Sequence, residues 1–212
     1  MRLSRIAGGS LAVAAVVAGV GGAGHAFLSS IGPEGGLAGV GALLAMIANL
    51  VVVAAMPAVA VRQTREAGLI GLAGFVLFSF VLMGMGVGMD MIFALVAPAL
   101  PASPLSTPPA GVMVAFAAVE IAAIVGLTLW GVGTIRARVF PAWTGWAMIA
   151  SAAVLITADL PFPVAAVTML AEALHYALFT AALVGVGAML VRLPVAAAPG
   201  AAAHAVESEY AA

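Results

Sequence analysis

The sequence predicts an all-α, polytopic membrane protein: a bundle of six transmembrane helices with both termini on the cytoplasmic side. Three observations predict it. The 212 residues are 65% hydrophobic and 7% charged, with a mean hydropathy of +1.27, whereas soluble domains carry about a quarter charged residues. All seven basic residues are arginines, in four clusters: Arg2/Arg5, Arg62/Arg65, Arg136/Arg138 and Arg192. Between consecutive clusters lies enough apolar chain to cross a bilayer twice at about 20 residues per span, and the middle of each gap carries Pro, Gly, Ser or an acid. Arginine kept to one side of alternating spans is how a multi-span protein records its orientation.

The elements follow in order. Span 1 is expected over residues 6–28. Arg2, Arg5, the Ala/Val run and Gly24-His25-Ala26 imitate a signal peptide, but the apolar run is longer than a usual signal core, so residues 1–26 are expected to remain as the first span. Ser29, Ser30, Pro33 and Glu34 turn the chain back into span 2, residues 37–61, and a loop over 62–66 leads to span 3, residues 68–96. Pro98, Pro101, Pro104, Pro108 and Pro109 make the longest outer loop. Span 4 covers 110–135, residues 136–141 form an inner loop, and Trp143 and Trp146 anchor the start of span 5 at headgroup depth. Span 5 ends near Ala158, Asp159-Leu160-Pro161-Phe162-Pro163 turns the chain, and span 6 covers 164–191. Residues 1–193 are thus one transmembrane domain, and the Ala-rich segment 194–212, with Glu207 and Glu209, is expected to be a disordered cytoplasmic tail.

Composition also narrows function. Six spans leave no room in residues 1–193 for an extramembrane catalytic domain, and the chain is read as non-enzymatic. A net charge of −1 without a dense basic run excludes nucleic acid as an expected partner. The absence of cysteine removes disulfides, thiolate metal sites and thiol nucleophiles. Membrane lipid is the expected surrounding, with a second copy or a larger membrane complex as further partners. Gly35/Gly39 and Gly84/Gly88 have GxxxG spacing, and Gly19, Gly21, Gly22 and Gly24 line the end of span 1; small residues let helices approach closely in lipid.

Glu120 needs the most explanation. It lies about 15 Å into span 4 at 1.5 Å per residue, where translocon scales charge an ionised acid roughly 3 kcal/mol. The same arithmetic puts Asn49, Glu172 and His175 within about one helical turn of its depth, with Glu172 and His175 sharing a helix face at i and i+3. A second layer, His25, Asp90 and Asp159, lies nearer the outer surface. Together they outline a polar pocket opening outward and ending at Glu120. The structural alternative is a protonated Glu120 hydrogen-bonded to a neighbouring helix.

Three cofactor chemistries compete for these residues, and no cofactor is expected. Glu172-x-x-His175 resembles half of a ferritin-type iron motif, which leaves His175, Glu172 and Glu120 as a mononuclear metal candidate. Haem between His25 and His175 conflicts with their depth difference of about 10 Å. Met83, Met85, Met89 and Met91 have the soft donors that Cu(I) takes, but their spacing spreads them over several faces. The remaining chemistry is a proton or solute relay, since a carboxylate and an imidazole at one depth exchange protons readily.

One stretch carries a resemblance. Gly131-Val-Gly-Thr-Ile-Arg136-Ala-Arg138-Val-Phe140-Pro141-Ala-Trp143-Thr-Gly145-Trp146 resembles the inner loop of small six-span bacterial membrane proteins of actinobacterial type, in families of unknown function. In them an arginine cluster and Pro-x-Trp-x-Gly-Trp open the fifth span, and an acid sits early in the sixth, here Glu172. The resemblance covers about twenty residues closely and the rest in layout; it implies a bacterial plasma membrane and no activity. The leading expectation is a protein that binds or passes a small solute or proton through the Glu120/Glu172/His175 pocket. A structural or accessory subunit of a membrane complex is the alternative, and an intramembrane metalloprotein the third.

Overall fold

Without water to take them, backbone N–H and C=O groups inside a bilayer must bond within their own segment, so apolar runs of this length become helices. The computed structural model of the chain describes residues 2–31, 36–96, 110–158 and 165–192, and among them every long element is helical. We label them α1 (Arg2–Ile31), α2 (36–67), α3 (69–96), α4 (Ala110–Ala137), α5 (Ala142–Ala158) and α6 (Ala165–Arg192). The expected outer loops and the tail 194–212 lie outside the described residues.

Two features of the α2–α3 hairpin differ from expectation. Residues 62–66 are helical, and the chain reverses at Gly68 alone (φ 64°, ψ −171°), a left-handed conformation that a side chain resists. Beyond Val81 the α-helix widens to π-helix over Leu82–Met89 and Ile92–Val96. Gly84, Gly86 and Gly88 hold the α form weakly here, and Asn49 on α2 takes the Gly86 carbonyl in a 2.9 Å hydrogen bond.

Five stretches, Leu3–His25, Gly39–Gln63, Arg65–Met89, Val114–Ala137 and Ala166–Arg192, are long and apolar enough to cross a membrane. The sixth expected span is α5, 17 residues long, about 25 Å at 1.5 Å per residue against a hydrocarbon core of about 30 Å. Five candidate spans therefore stand where six were expected.

The helices run alternately up and down and pack in chain order, with α6 closing back on α1. Glycine sets most seams. A Cβ on Gly8 would stand 2.6 Å from the Gly187 carbonyl, one on Gly21 2.9 Å from that of Gly41, and one on Gly131 2.6 Å from that of Gly145. Gly71 meets Gly133 backbone to backbone, and Gly185 lies beneath the Trp143 ring. The expected GxxxG positions do not form these seams: nothing approaches Gly39 or Gly84 within 4 Å, and Gly35 lies outside the described residues. Where solvent and helix surface are equally apolar, close packing replaces hydrophobic drive. Large apolar side chains accordingly face outward, Phe80 at 77% exposure and Leu170 at 70%, while Ala45, Ala48, Ala152 and Ala182 fill the inside.

Alternation brings all four arginine clusters to one end of the ring. Near that end, Trp130 is wholly buried, edge-on to Phe75 and stacked on Phe78 at 5.7 Å. Its indole N–H donates to Gln63 Oε1 (2.9 Å), Gln63 Nε2 donates to Thr134 Oγ1 (2.6 Å), and the Thr134 hydroxyl donates to the Trp130 carbonyl (2.9 Å). Every member is buried and bonded, so the network locks α2 to α4 in a low-dielectric interior. The α4–α5 turn is set by Arg138 at φ 54° and by the Thr144 N–H and hydroxyl, which both donate to the Pro141 carbonyl.

Gly131→Ala is expected to destabilise the detergent-solubilised protein by about 1–3 kcal/mol, because its methyl meets backbone that cannot yield. Gly9→Ala, in open space, is expected to stabilise α1 by about 0.5–1 kcal/mol. Thermal unfolding of the pair reads both signs. Trp130→Phe leaves the Gln63 carbonyl unbonded and is expected to cost about 1–3 kcal/mol in the same assay.

Candidate functional site

Beyond Trp130, in the half of the ring away from the arginines, the helices enclose a cavity of about 360 Å³, within the range of small-molecule sites, about 300–1,000 Å³. All six helices line it. The α4 contribution, Phe116, Val119, Glu120, Ala123 and Leu127, is one helical face at i, i+3, i+4, i+7 and i+11. α3 presents Val81, Met85 and Met89 beside Leu82, Gly86 and Asp90, a four-residue repeat that the widened winding aligns. α6 supplies His175, Tyr176 and Phe179, α2 Ala45 and Asn49, and α1 Gly19, Gly22 and His25. Gly22 matters because the Tyr176 ring lies where its Cβ would be, 2.7 Å from Cε1.

Five of the seven polar residues expected in the pocket line this cavity: Glu120, His175, Asn49, His25 and Asp90. The expected inner and outer layers meet at Asn49 and Asp90. Asn49 Nδ2 donates to Asp90 Oδ2 (3.2 Å) as well as to Gly86, joining a residue of the expected inner layer to one of the outer. Sequence depth assumes α-helical rise throughout, and the π-helical turns advance less per residue, so Asp90 sits deeper than counted. Asp90 is also within electrostatic range of His25 and of Tyr176.

Glu172 does not join them. It lies one turn outward of His175 and Tyr176, close enough to act on the Tyr176 hydroxyl electrostatically but outside the lining. Asp159 lies outside the described residues. Among those residues, no group of three His, Cys, Asp or Glu side chains is placed to hold a metal ion, so His175, Glu172 and Glu120 do not converge as the metal candidate requires. The four methionines also divide, with Met85 and Met89 facing the cavity and Met83 and Met91 exposed, which removes the Cu(I) arrangement.

His175 is held in one orientation. Ser151 on α5 places its carbonyl oxygen 3.1 Å and its hydroxyl 2.9 Å from His175 Nδ1. A carbonyl oxygen only accepts, so the ring proton belongs on Nδ1 and neutral Nε2 remains an acceptor. The Ser151 hydroxyl donates to the His175 carbonyl (3.2 Å). The ring lies parallel to Phe179 at 6.3 Å, and Phe179 meets Phe78 edge-on at 5.2 Å. Stacked aromatics thus form a floor from His175 down to Trp130.

α3 and α4 touch in their inner halves, where Gly71, Gly74 and Gly126 bring the backbones together. Farther out, the π-helical part of α3 packs on α2 and makes little contact with α4. Met85 and Met89 stand on one side of this parting, Phe116 and Glu120 on the other.

Sequence reasoning missed Tyr176, Phe116 and the aromatic floor. A signal for Tyr176 existed: it is the one tyrosine before the tail, and it lies well inside a span rather than at the interface where tyrosine collects. Phe116 stands one turn before Glu120, on the same face. Gln63, Trp130 and Thr134 gave no sign, because their network joins helices remote in sequence.

Comparison with family models, with curated proteins and with solved structures found no match for this chain. The site is therefore read from its own chemistry: a largely apolar, aromatic-floored chamber lined by two carboxylates, an amide, a phenol and two imidazoles.

The ¹⁵N NMR spectrum of His175 at neutral pH is expected to show protonated Nδ1 and unprotonated Nε2. The pattern is expected to persist in Ser151→Ala, which keeps the carbonyl partner. A dominant Nε2–H form in the wild-type protein would contradict the assigned tautomer.

Proposed function

We propose that the chain is an integral membrane protein of a bacterial plasma membrane, with both termini cytoplasmic, that binds and passes a small solute or proton by way of the cavity around Asp90, Glu120, Asn49 and His175. The observation that carries this reading is the convergence of polar residues from five helices on one chamber inside an otherwise apolar ring. Ionisable groups at membrane depth face interiors and pathways because lipid excludes them, and a pocket with few polar groups among many apolar ones is the usual form of a small-molecule site.

The arginine-bearing end supports the orientation, since arginine is retained on the cytoplasmic side. The likeness of residues 131–146 to small six-span actinobacterial-type membrane proteins supports a bacterial plasma membrane. The alternative, an accessory subunit, draws on the glycine-rich faces, and most of those glycines are engaged in seams within the ring.

The absence of cysteine makes the test direct. In intact cells, Gly111→Cys, exposed at the outer start of α4, is expected to react with an impermeant maleimide, and Ala142→Cys, exposed at the inner turn, only after permeabilisation. In purified protein, Val119→Cys on the cavity wall is expected to react with a small methanethiosulfonate and to be protected by small aromatic solutes. Reversed sidedness sinks the orientation. A Val119→Cys thiol that stays inert, or that no solute protects, sinks the cavity's role in binding.

A further inference from the structure

The cavity wall is parted on one side. The outer half of α3, wound as π-helix over Leu82–Met89 and Ile92–Val96, packs on α2 and makes little contact with α4. Met85 and Met89 on one edge of the parting, with Phe116 and Glu120 on the other, line the cavity. Both edges belong to stretches long and apolar enough to cross a membrane, so the parting faces lipid. A ligand that arrives this way dissolves in hydrocarbon, where a charge is costly. Among the described residues no arginine lines the cavity, and the chain has no lysine. Glu120 and His25 each have an interaction partner of their own, and Asp90 accepts from Asn49. The lining thus favours an uncharged ligand.

The hydrogen-bonding groups of the lining narrow the class further. Both amide hydrogens of Asn49 are committed, one to the Gly86 carbonyl (2.9 Å) and one to Asp90 Oδ2 (3.2 Å). The bonds of His175 to α5 use Nδ1 and the backbone carbonyl. Nε2 lies on the opposite edge of a ring that lines the cavity. Among the described residues the buried side-chain N or O atom without a bond is Ser4 Oγ, so Nε2 is not sealed away. It is a neutral acceptor within reach of the cavity, and its natural partner is an O–H or N–H of the ligand. The rest of the surface suits a ring. Phe78 and Phe179 meet edge-on at 5.2 Å, and Phe116 and Tyr176 add two more aromatic faces. Aromatic rings pack on one another edge-on or offset, with a gain beyond area alone.

We propose that the cavity binds an uncharged, lipophilic phenol, its ring among Phe78, Phe116 and Phe179 and its hydroxyl donating to Nε2 of His175. Ser151 serves this bond from behind, since its carbonyl keeps the ring proton on Nδ1. The inference rests on the reading of the cavity as a small-molecule site and names its ligand class.

Three molecules of one skeleton test it: 4-propylphenol, 4-propylanisole and propylbenzene. The first can donate and accept a hydrogen bond, the second only accept, and the third do neither. The phenol is uncharged at pH 7, as a tyrosine side chain with pKa about 10 is. Each is titrated by calorimetry into the full chain in phosphatidylcholine nanodiscs. Empty nanodiscs give the partition of each molecule, so affinities are compared at equal concentration in the bilayer. The phenol is expected to bind about fivefold tighter or more than either of the others, the size of one net hydrogen bond. In protein labelled with ¹⁵N-histidine, saturating phenol is expected to move the His175 Nε2 signal upfield, as acceptance of a hydrogen bond does, and propylbenzene to leave it in place.

Propylbenzene binding as well as the phenol means that shape alone selects, and it overturns the inference while the pocket stands. Preference for the anisole means that the site donates rather than accepts, and it overturns the inference equally. A phenol that binds tightest but leaves Nε2 unmoved places its hydroxyl on another group, and the assignment to His175 falls. If none of the three binds, the pocket reading falls with it. Ranking and spectrum are both read on the wild-type chain, so the test does not depend on how a substituted chain folds.

Discussion

Helices in a bilayer gain little by hiding apolar surface from a solvent that is itself apolar, so this ring depends on how closely its backbones can approach. At Gly8/Gly187, Gly21/Gly41, Gly71/Gly133 and Gly131/Gly145 a single methyl would collide with a carbonyl or Cα of the facing helix. These contacts give dispersion attraction its full depth and bring helix dipoles and Cα–H groups into reach. They also fix the rotation of each helix about its axis, and that rotation decides which side chains point inward. The chamber's composition is thus a consequence of where glycine sits on the outward seams.

The two ends of the ring use this close packing differently. At the arginine end the interior is filled: Trp130 stacks on Phe78, and its indole proton, Gln63 and Thr134 close a network with each polar atom in a bond. At the far end the α3 winding loosens into π-helix, α3 parts from α4, and space remains. π-Helical turns give up the optimal bonding of an α-helix and persist where other contacts compensate. Here Asn49, bonded to both Gly86 and Asp90, is that compensation. One amide thereby stabilises the irregular helix and aims a carboxylate into the chamber, so backbone irregularity and site geometry share a cause.

The polar groups of the chamber are also kept apart in kind. Ser151 fixes the His175 tautomer through a carbonyl that can only accept, and Phe179 fixes the plane of its ring. Gly22 makes room for Tyr176. Each of these supports lies on a different helix from the residue it serves, apart from Phe179, so the site requires the closed ring and cannot be assembled by any one hairpin.

Much of the architecture was legible in the chain by itself. Arginine clusters, apolar runs and proline-rich breaks determined helix number, approximate bounds and alternation, because each reflects a local cost: a charge or an unbonded backbone group in hydrocarbon. Depth counting along regular helices also singled out Glu120, His175 and Asn49, which line one cavity. Tertiary structure alone decided the rest. It turned a five-residue loop into the single hinge Gly68, wound α3 so that Asp90 dropped to the level of Asn49, left Glu172 outside, and seated Tyr176 on Gly22. These outcomes depend on helix rotation and on contacts between residues far apart in sequence, and neither has a local signature. Composition records what each residue pays to the bilayer; which residues meet inside is decided only when the six helices close on one another.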